Sequence, residues 1–377
     1  MPPRSDLPDP LRDVLALARR DRRAATAALG ALSIEEQVEL VCRAPIARRG
    51  ELLDLVPHPE DVVPALPEAE LVFAVKAIGR ADSAWLLAHA TDDQIRACID
   101  LDAWRDFAPS PDALGEWILT LAEADDDTLL RGVAALDAEL VMLWLNDRFE
   151  VHVKAGDDPG WSPPAGGQTI DGVHYLVAKR SADDQDVAMR LLALLFESDN
   201  AAYFRTLQAV IWEQPSDVEE HALRWRTARL ADLGFPSWEE AAGIYARPRR
   251  EEIEKLPETP PVVEEWHLPV FMPELPASAD AALSLLRAAA ELDDEARRRF
   301  VYAFLALANQ VAVADRLPLG DAESIPQSIE KAARIASRGL DHLAERHARP
   351  AVEVLRRVPL IRLFRVGAHL DRAEAAP

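Results

Sequence analysis

Cysteine is nearly absent from this chain: Cys42 and Cys98 are the 2 present in 377 residues. They lie far apart, each in a helical apolar pattern and neither in a C-x-x-C pair, which argues against a disulfide framework, a metal knuckle or a thiol redox couple. Two buried thiols are the expectation. No apolar run approaches the roughly 18 residues that cross a bilayer. The opening Met1-Pro2-Pro3-Arg4-Ser5-Asp6 has neither the basic patch nor the apolar core of a signal peptide. A soluble, cytoplasmic protein without membrane contact is therefore expected. Also missing are G-x-S-x-G, G-x-x-x-x-G-K followed by Ser or Thr, and a strand-linked G-x-G-x-x-G, so nucleophile-elbow hydrolases, P-loop proteins and dinucleotide binders lose their usual support. Gly166-Gly167 alone is no phosphate cradle. Lysine is confined to Lys76, Lys154, Lys179, Lys255 and Lys331. With the abundant alanine, that scarcity points to codon usage in a GC-rich genome and not to function.

What is present is a globular composition, 49% hydrophobic, 28% charged and 6% aromatic. The length exceeds the size at which one core stops growing, so two or three packed units are expected. A net charge of -23 repels nucleic acid and anionic membrane as a whole-molecule field. The acid is concentrated in residues 1–150. Residues 331–372 reverse the balance, with Lys331, nine arginines from Arg334 to Arg372, and only Asp341, Glu345, Glu353 and Asp371 against them.

The pattern predicts a mainly α fold of short amphipathic helices, stacked as an irregular repeat or a compact bundle. Apolar residues recur at helical spacing, as in Leu71, Ala74, Val75, Ile78 and again in Ile95, Cys98, Ile99. Capping boxes are written at Ser33–Glu36, Thr91–Gln94, Ser216–Glu219 and Ser237–Glu240, and prolines fall between the periodic runs. The phrases PEAELVFAVKAI and TDDQIRACIDL restart one pattern, and helices too short to bury their stripes alone are economically stacked. Period-2 alternation at Phe149, Val151, Val153 and at Val173, Tyr175, Val177 predicts a β-hairpin within residues 148–180, with a possible extension at 168–170. Its long connection, residues 155–168 with Trp161 near the tip, reads as a flap or binding loop. Seven prolines between Arg247 and Ala279 read as a linker or strap, with Trp266, Val270, Phe271 and Met272 laid along the fold. The expected divisions are 1–147, an acidic helical repeat; 148–247, hairpin and helical middle; 248–279, the strap; and 280–377, a helical end with the basic segment.

Candidate chemistry is sparse. His152 and His174 are expected to face each other across the hairpin, opposite its valines, and with Arg224 they are the first residues to inspect for catalysis. Paired metal ligation there is rarer than a simple exposed pair. His342 and Glu345 share a helix face and are the nearest approach to a metal site, although His347 spoils an H-E-x-x-H spacing. A solvated face carries most of the weight, and neither a metal nor a cofactor is expected. The acids Asp92-Asp93 and Asp125-Asp126-Asp127 fit helix starts better than a cation site. Arg224-Trp225-Arg226 fits either a stacking surface or a core tryptophan flanked by paired arginines.

The segments LDAELVMLWLNDRFEVH, TIDGVHYLVAK, RWRTARLADLGFPSWEEAAGIYA, ANQVAVADRLPLGD and LFRVGAHL together resemble an uncharacterised bacterial domain-of-unknown-function family, numbered in the six thousands and of delta-proteobacterial and myxobacterial type. The resemblance spans about residues 30–372 and implies a largely helical cytoplasmic protein, with no activity or catalytic residue to carry over. The front third is also similar to the helical repeat domain of MgtE-type magnesium transporters and of the flagellar switch protein FliG. That similarity implies helix stacking and partner contact. The leading expectation is a noncatalytic interaction or scaffold protein whose partner is another protein or a second copy. The alternatives are an enzyme with its pocket between flap and middle helices and, more weakly, nucleic-acid binding through residues 331–372.

Overall fold

A computed structural model describes residues 9–156, 160–181, 183–258, 282–321 and 323–375. It is 71% helical. Strands occur among the described residues as two antiparallel pairs, Trp104–Arg105 with Ala108–Pro109 and Phe149–Val153 with His174–Ala178. The chain folds into two compact units, residues 1–226 and 227–377.

In the first unit, three helices are buried on most sides. Glu68–Ile78 buries Ala69 through Val75 without a break, Asp92–Asp102 buries Cys98 and Ile99, and Ala138–Arg148 buries Leu140 through Leu145. Shorter helices such as Arg22–Gly30 and Ile34–Arg43 present one stripe inward from the edge. Both cysteines are buried and free. Burial pushes the Cys42 thiol up to about 11, against the opposing pull of Arg49, and raises Cys98 further still, so both are unreactive.

The capping boxes at Ser33, Thr91 and Ser237 form as expected, hydroxyl to the third amide and Glu or Gln back to the first. The one at Ser216 does not. The helix begins at Pro215, whose fixed φ suits the first helical position, and Ser216 falls inside the first turn. That helix closes at Gly234 in a left-handed cap (φ 80°), where the Phe235 amide donates to Leu230 O at 2.8 Å.

The second unit is built around the long helices Asp294–Ala314, Ser324–His347 and Leu360–Ala375. The stripes Phe300, Phe304, Leu307, Val311 and Leu360, Leu363, Phe364 are all buried in one core. Gly339 and Gly367 let two of these helices touch backbone to backbone: a Cβ on Gly339 would lie 1.9 Å from Leu363 O, and one on Gly367 would lie 1.9 Å from Ile335 O. Most of the proline-rich strap, including Trp266, Val270, Phe271 and Met272, lies outside the described residues. Its described front packs Ile253 and Leu256 on this core.

Candidate functional site

The hairpin forms, but in a register that overturns the expected pairing of its histidines. His152 stands opposite Tyr175 and His174 opposite Val153. Directly opposed residues share a face, so His152 and His174 point to opposite sides of the ribbon. The inner face carries Phe149, Leu176 and His174, all buried. The outer face carries His152, 3.3 Å from Glu150, and Tyr175, over which the flap residue Trp161 packs at 4.8 Å. Gln168 bridges to Leu176, so the ribbon gains a third partner where the sequence suggested one.

His174 is held by Asp171. Asp171 Oδ2 lies 2.6 Å from His174 Nδ1, while Oδ1 accepts the Val173 and His174 amides, both at 2.8 Å. A carboxylate only accepts, so Nδ1 carries a proton. Burial would raise the Asp171 carboxyl, but the bonds from the His174 ring and from the two amides outweigh it and hold it below its usual range. Behind the pair, Tyr203 is fully buried among Phe196, Phe204 and His174, with Asp171 acting on its hydroxyl. Burial, and then the Asp171 charge, raise the Tyr203 phenol above its ordinary value. Only His174 was foreseen here. The spacing Asp171-x-x-His174 was the available signal.

A second group went unforeseen. Arg148, 1% exposed, ends the Ala138–Arg148 helix and clamps Asp184 in two parallel bonds, Nε to Oδ1 at 2.8 Å and the terminal nitrogen to Oδ2 at 2.9 Å. Trp144 Nε1 donates to the same Oδ2 at 2.6 Å. Gly115 makes room, since a Cβ there would sit 1.8 Å from Asp184 Oδ2. Asp112, Asp147 and Arg180 continue the cluster to the surface. Elsewhere in this unit, buried Asp102 takes Lys76 at 2.6 Å, Arg80 at 3.1 Å and Trp117 Nε1 at 3.0 Å. These carboxylates are saturated with donors, which suits joints between helices and leaves little for a substrate.

Arg224 joins none of this. It is exposed on the Pro215–Asp232 helix, 3.7 Å from Glu220. Beside it, Trp225 is not the core residue that paired arginines would flank but is 55% exposed, and Trp212 is 78% exposed. Arg226 turns inward to Asp100 O at 2.7 Å and lies over the Trp104 ring. In the second unit His342 is half-buried and Glu345 exposed, while His347 Nε2 faces Ile253 O at 3.0 Å. The acidic runs act at helix starts: Asp125 accepts the Thr128 amide at 2.6 Å, and Asp92 and Asp93 pair with Arg131 and Arg96. His58, Glu60 and Asp61 bring possible metal-ligand atoms within 4.8 Å of one another, all solvent-facing.

The basic stretch 331–372 is largely consumed within its own unit. Lys331 pairs with Asp315, itself bonded by the Tyr245 hydroxyl; Arg334 and Arg338 take Asp371; Arg349 takes Glu353; and Arg356 takes Asp293. Arg362, Arg365 and Arg372 donate to the backbone carbonyls of Glu252, Gly243 and Tyr245.

With the geometry in place, comparison with known proteins gives one match: the model of a family of unknown function, DUF6178, covers residues 26–373. The chain belongs to DUF6178. No curated protein and no solved structure matches it. Among the described residues of this DUF6178 protein, no helix is long and apolar enough to cross a membrane.

Proposed function

We propose that this DUF6178 protein is a noncatalytic cytoplasmic interaction or scaffold protein that engages another protein, or a second copy, through its exposed tryptophans Trp212 and Trp225. One observation carries the reading: two tryptophans stand 78% and 55% exposed on successive helices, more than the other exposed large apolar side chains of their unit, Ile34, Phe107, Val153 and Val173. Tryptophan is the residue most enriched where interfaces concentrate their energy. The Pro215–Asp232 helix buries Val218, Ala222 and Leu230 and leaves most of its surface to solvent. The buried carboxylates Asp102 and Asp184, already saturated by donors, agree with this reading.

The test compares the native chain with Trp212→Ala, Trp225→Ala and the double variant, by affinity capture from the native organism and by light scattering of the purified protein. The variants should fold with nearly unchanged stability, because exposed truncations cost within about 0.5 kcal/mol, and should lose the captured partner or the self-association. An identical capture profile and molar mass in all four proteins sinks the reading.

A second reading is favoured by a separate observation. The Asp171–His174 pair, with the buried Tyr203 behind it, has the orientation of a general base held by a carboxylate. That reading places an enzyme pocket between the flap and the middle helices, and it predicts that a substrate analogue would perturb the His174 ring resonances and not those of His152.

A further inference from the structure

We infer that the cleft between the Arg22–Gly30 helix and the Pro57–His58 turn binds a small anion carrying several phosphates. The cleft is a solvent-open groove of roughly 650 Å³. Its polar lining is Arg22, Arg23, Thr26 and His58, and no carboxylate lines it. That is unexpected in a chain with 65 acidic against 42 basic side chains. Of the nearby acids, Asp21 caps the helix through the Ala24 amide at 3.1 Å and Asp54 takes Arg22 at 2.6 Å, while Glu60 and Asp61 stand beside His58 at the rim. The latter bond, with a second from the same nitrogen to Asp54 O at 3.0 Å, fixes one edge of the Arg22 guanidinium and leaves its other donors free.

Arg23 is exposed, and among the described residues its side chain has no ion-pair or hydrogen-bond partner; the same holds for the side chains of Arg19 and Arg20 in the preceding turn. His58 uses Nδ1 toward Glu60 at 3.2 Å and keeps Nε2 unengaged. The apolar wall is close-set, since a Cβ on Gly30 would meet Pro57 Cγ at 3.0 Å. Planar guanidinium groups beside a hydroxyl and an imidazole match phosphoryl oxygens in geometry and charge. The overall negative charge opposes entry, but at 0.1 M salt fields are screened over about 10 Å, so the adjacent arginines dominate at contact distance.

Titration calorimetry of the full chain at low salt, with sodium tripolyphosphate and separately with ATP, tests the inference. Arg23→Glu should weaken binding at least tenfold with its melting temperature unchanged, and Arg224→Glu on the distant exposed helix should leave binding intact. Equal affinity for both probes assigns recognition to the phosphates alone, while tighter ATP binding shows that the cleft also covers a nucleoside; both outcomes support the site. No heat with either probe, or equal loss in Arg23→Glu and Arg224→Glu, overturns it. The outcome is independent of the exposed tryptophans.

Discussion

At the scale of single residues, the buried charges decide most. Asp184 holds Arg148 and Trp144 in a space that exists because residue 115 is glycine. Asp184→Ala should destabilise the first unit by about 3–5 kcal/mol, the cost of stranding a buried guanidinium, measured by urea unfolding. Asp171 sets a pH dependence whose sign follows from its depressed carboxyl. It binds a proton more weakly folded than unfolded, so its contribution is complete above the unfolded value near pH 4 and fades as pH falls through the lower folded value. Melting temperature against pH should therefore drop less steeply on the acid side in Asp171→Asn than in the native chain. His174 was legible as a polar residue in a strand. Its partner Tyr203 was not, because an apolar stripe at Tyr203, Leu207 and Val210 reads the same with or without a carboxylate nearby.

At the scale of elements, helix starts were written locally and strand register was not. Ser33, Thr91 and Ser237 cap as read because a capping box closes within four residues. The hairpin's two sets, Val173-Tyr175-Val177 and His174-Leu176-Ala178, differ little in apolarity, and a slip of one residue exchanges the faces. Packing of Leu176 and His174 against the middle helices selected the second set. The small Trp104–Pro109 ribbon escaped notice because two-residue strands leave no period. Helix crossing was equally hidden, since Gly339 and Gly367 look like weak points until their backbones meet. Gly339→Ala should cost about 3 kcal/mol in the second unit's unfolding, because the new methyl group must displace the Leu363 carbonyl.

At the scale of the whole molecule, charge gave the correct sign and an incomplete map. The basic stretch near the C-terminus promised a positive face, yet Arg334, Arg338, Arg356 and Arg362 are tied within their own unit. With a net charge of -23, no retardation of single- or double-stranded DNA is expected at 50 mM salt in a gel-shift assay. Conversely, the front is acidic in sum but lines one groove with Arg22 and Arg23. Net charge adds every side chain, whereas a local field depends on which carboxylates lie within a few ångströms.

The amino-acid order by itself determined the helical class, the helix starts at Ser33, Thr91 and Ser237 and the burial of the two thiols, because capping, periodicity and burial of apolar stripes act over a turn or two of chain. Tertiary packing alone decided the strand register, the Arg148–Asp184 clamp, the fate of the C-terminal arginines and the exposure of Trp212 and Trp225. Each of these depends on residues tens of positions apart meeting in a dry or a wet environment, and periodicity carries no record of which partner arrives.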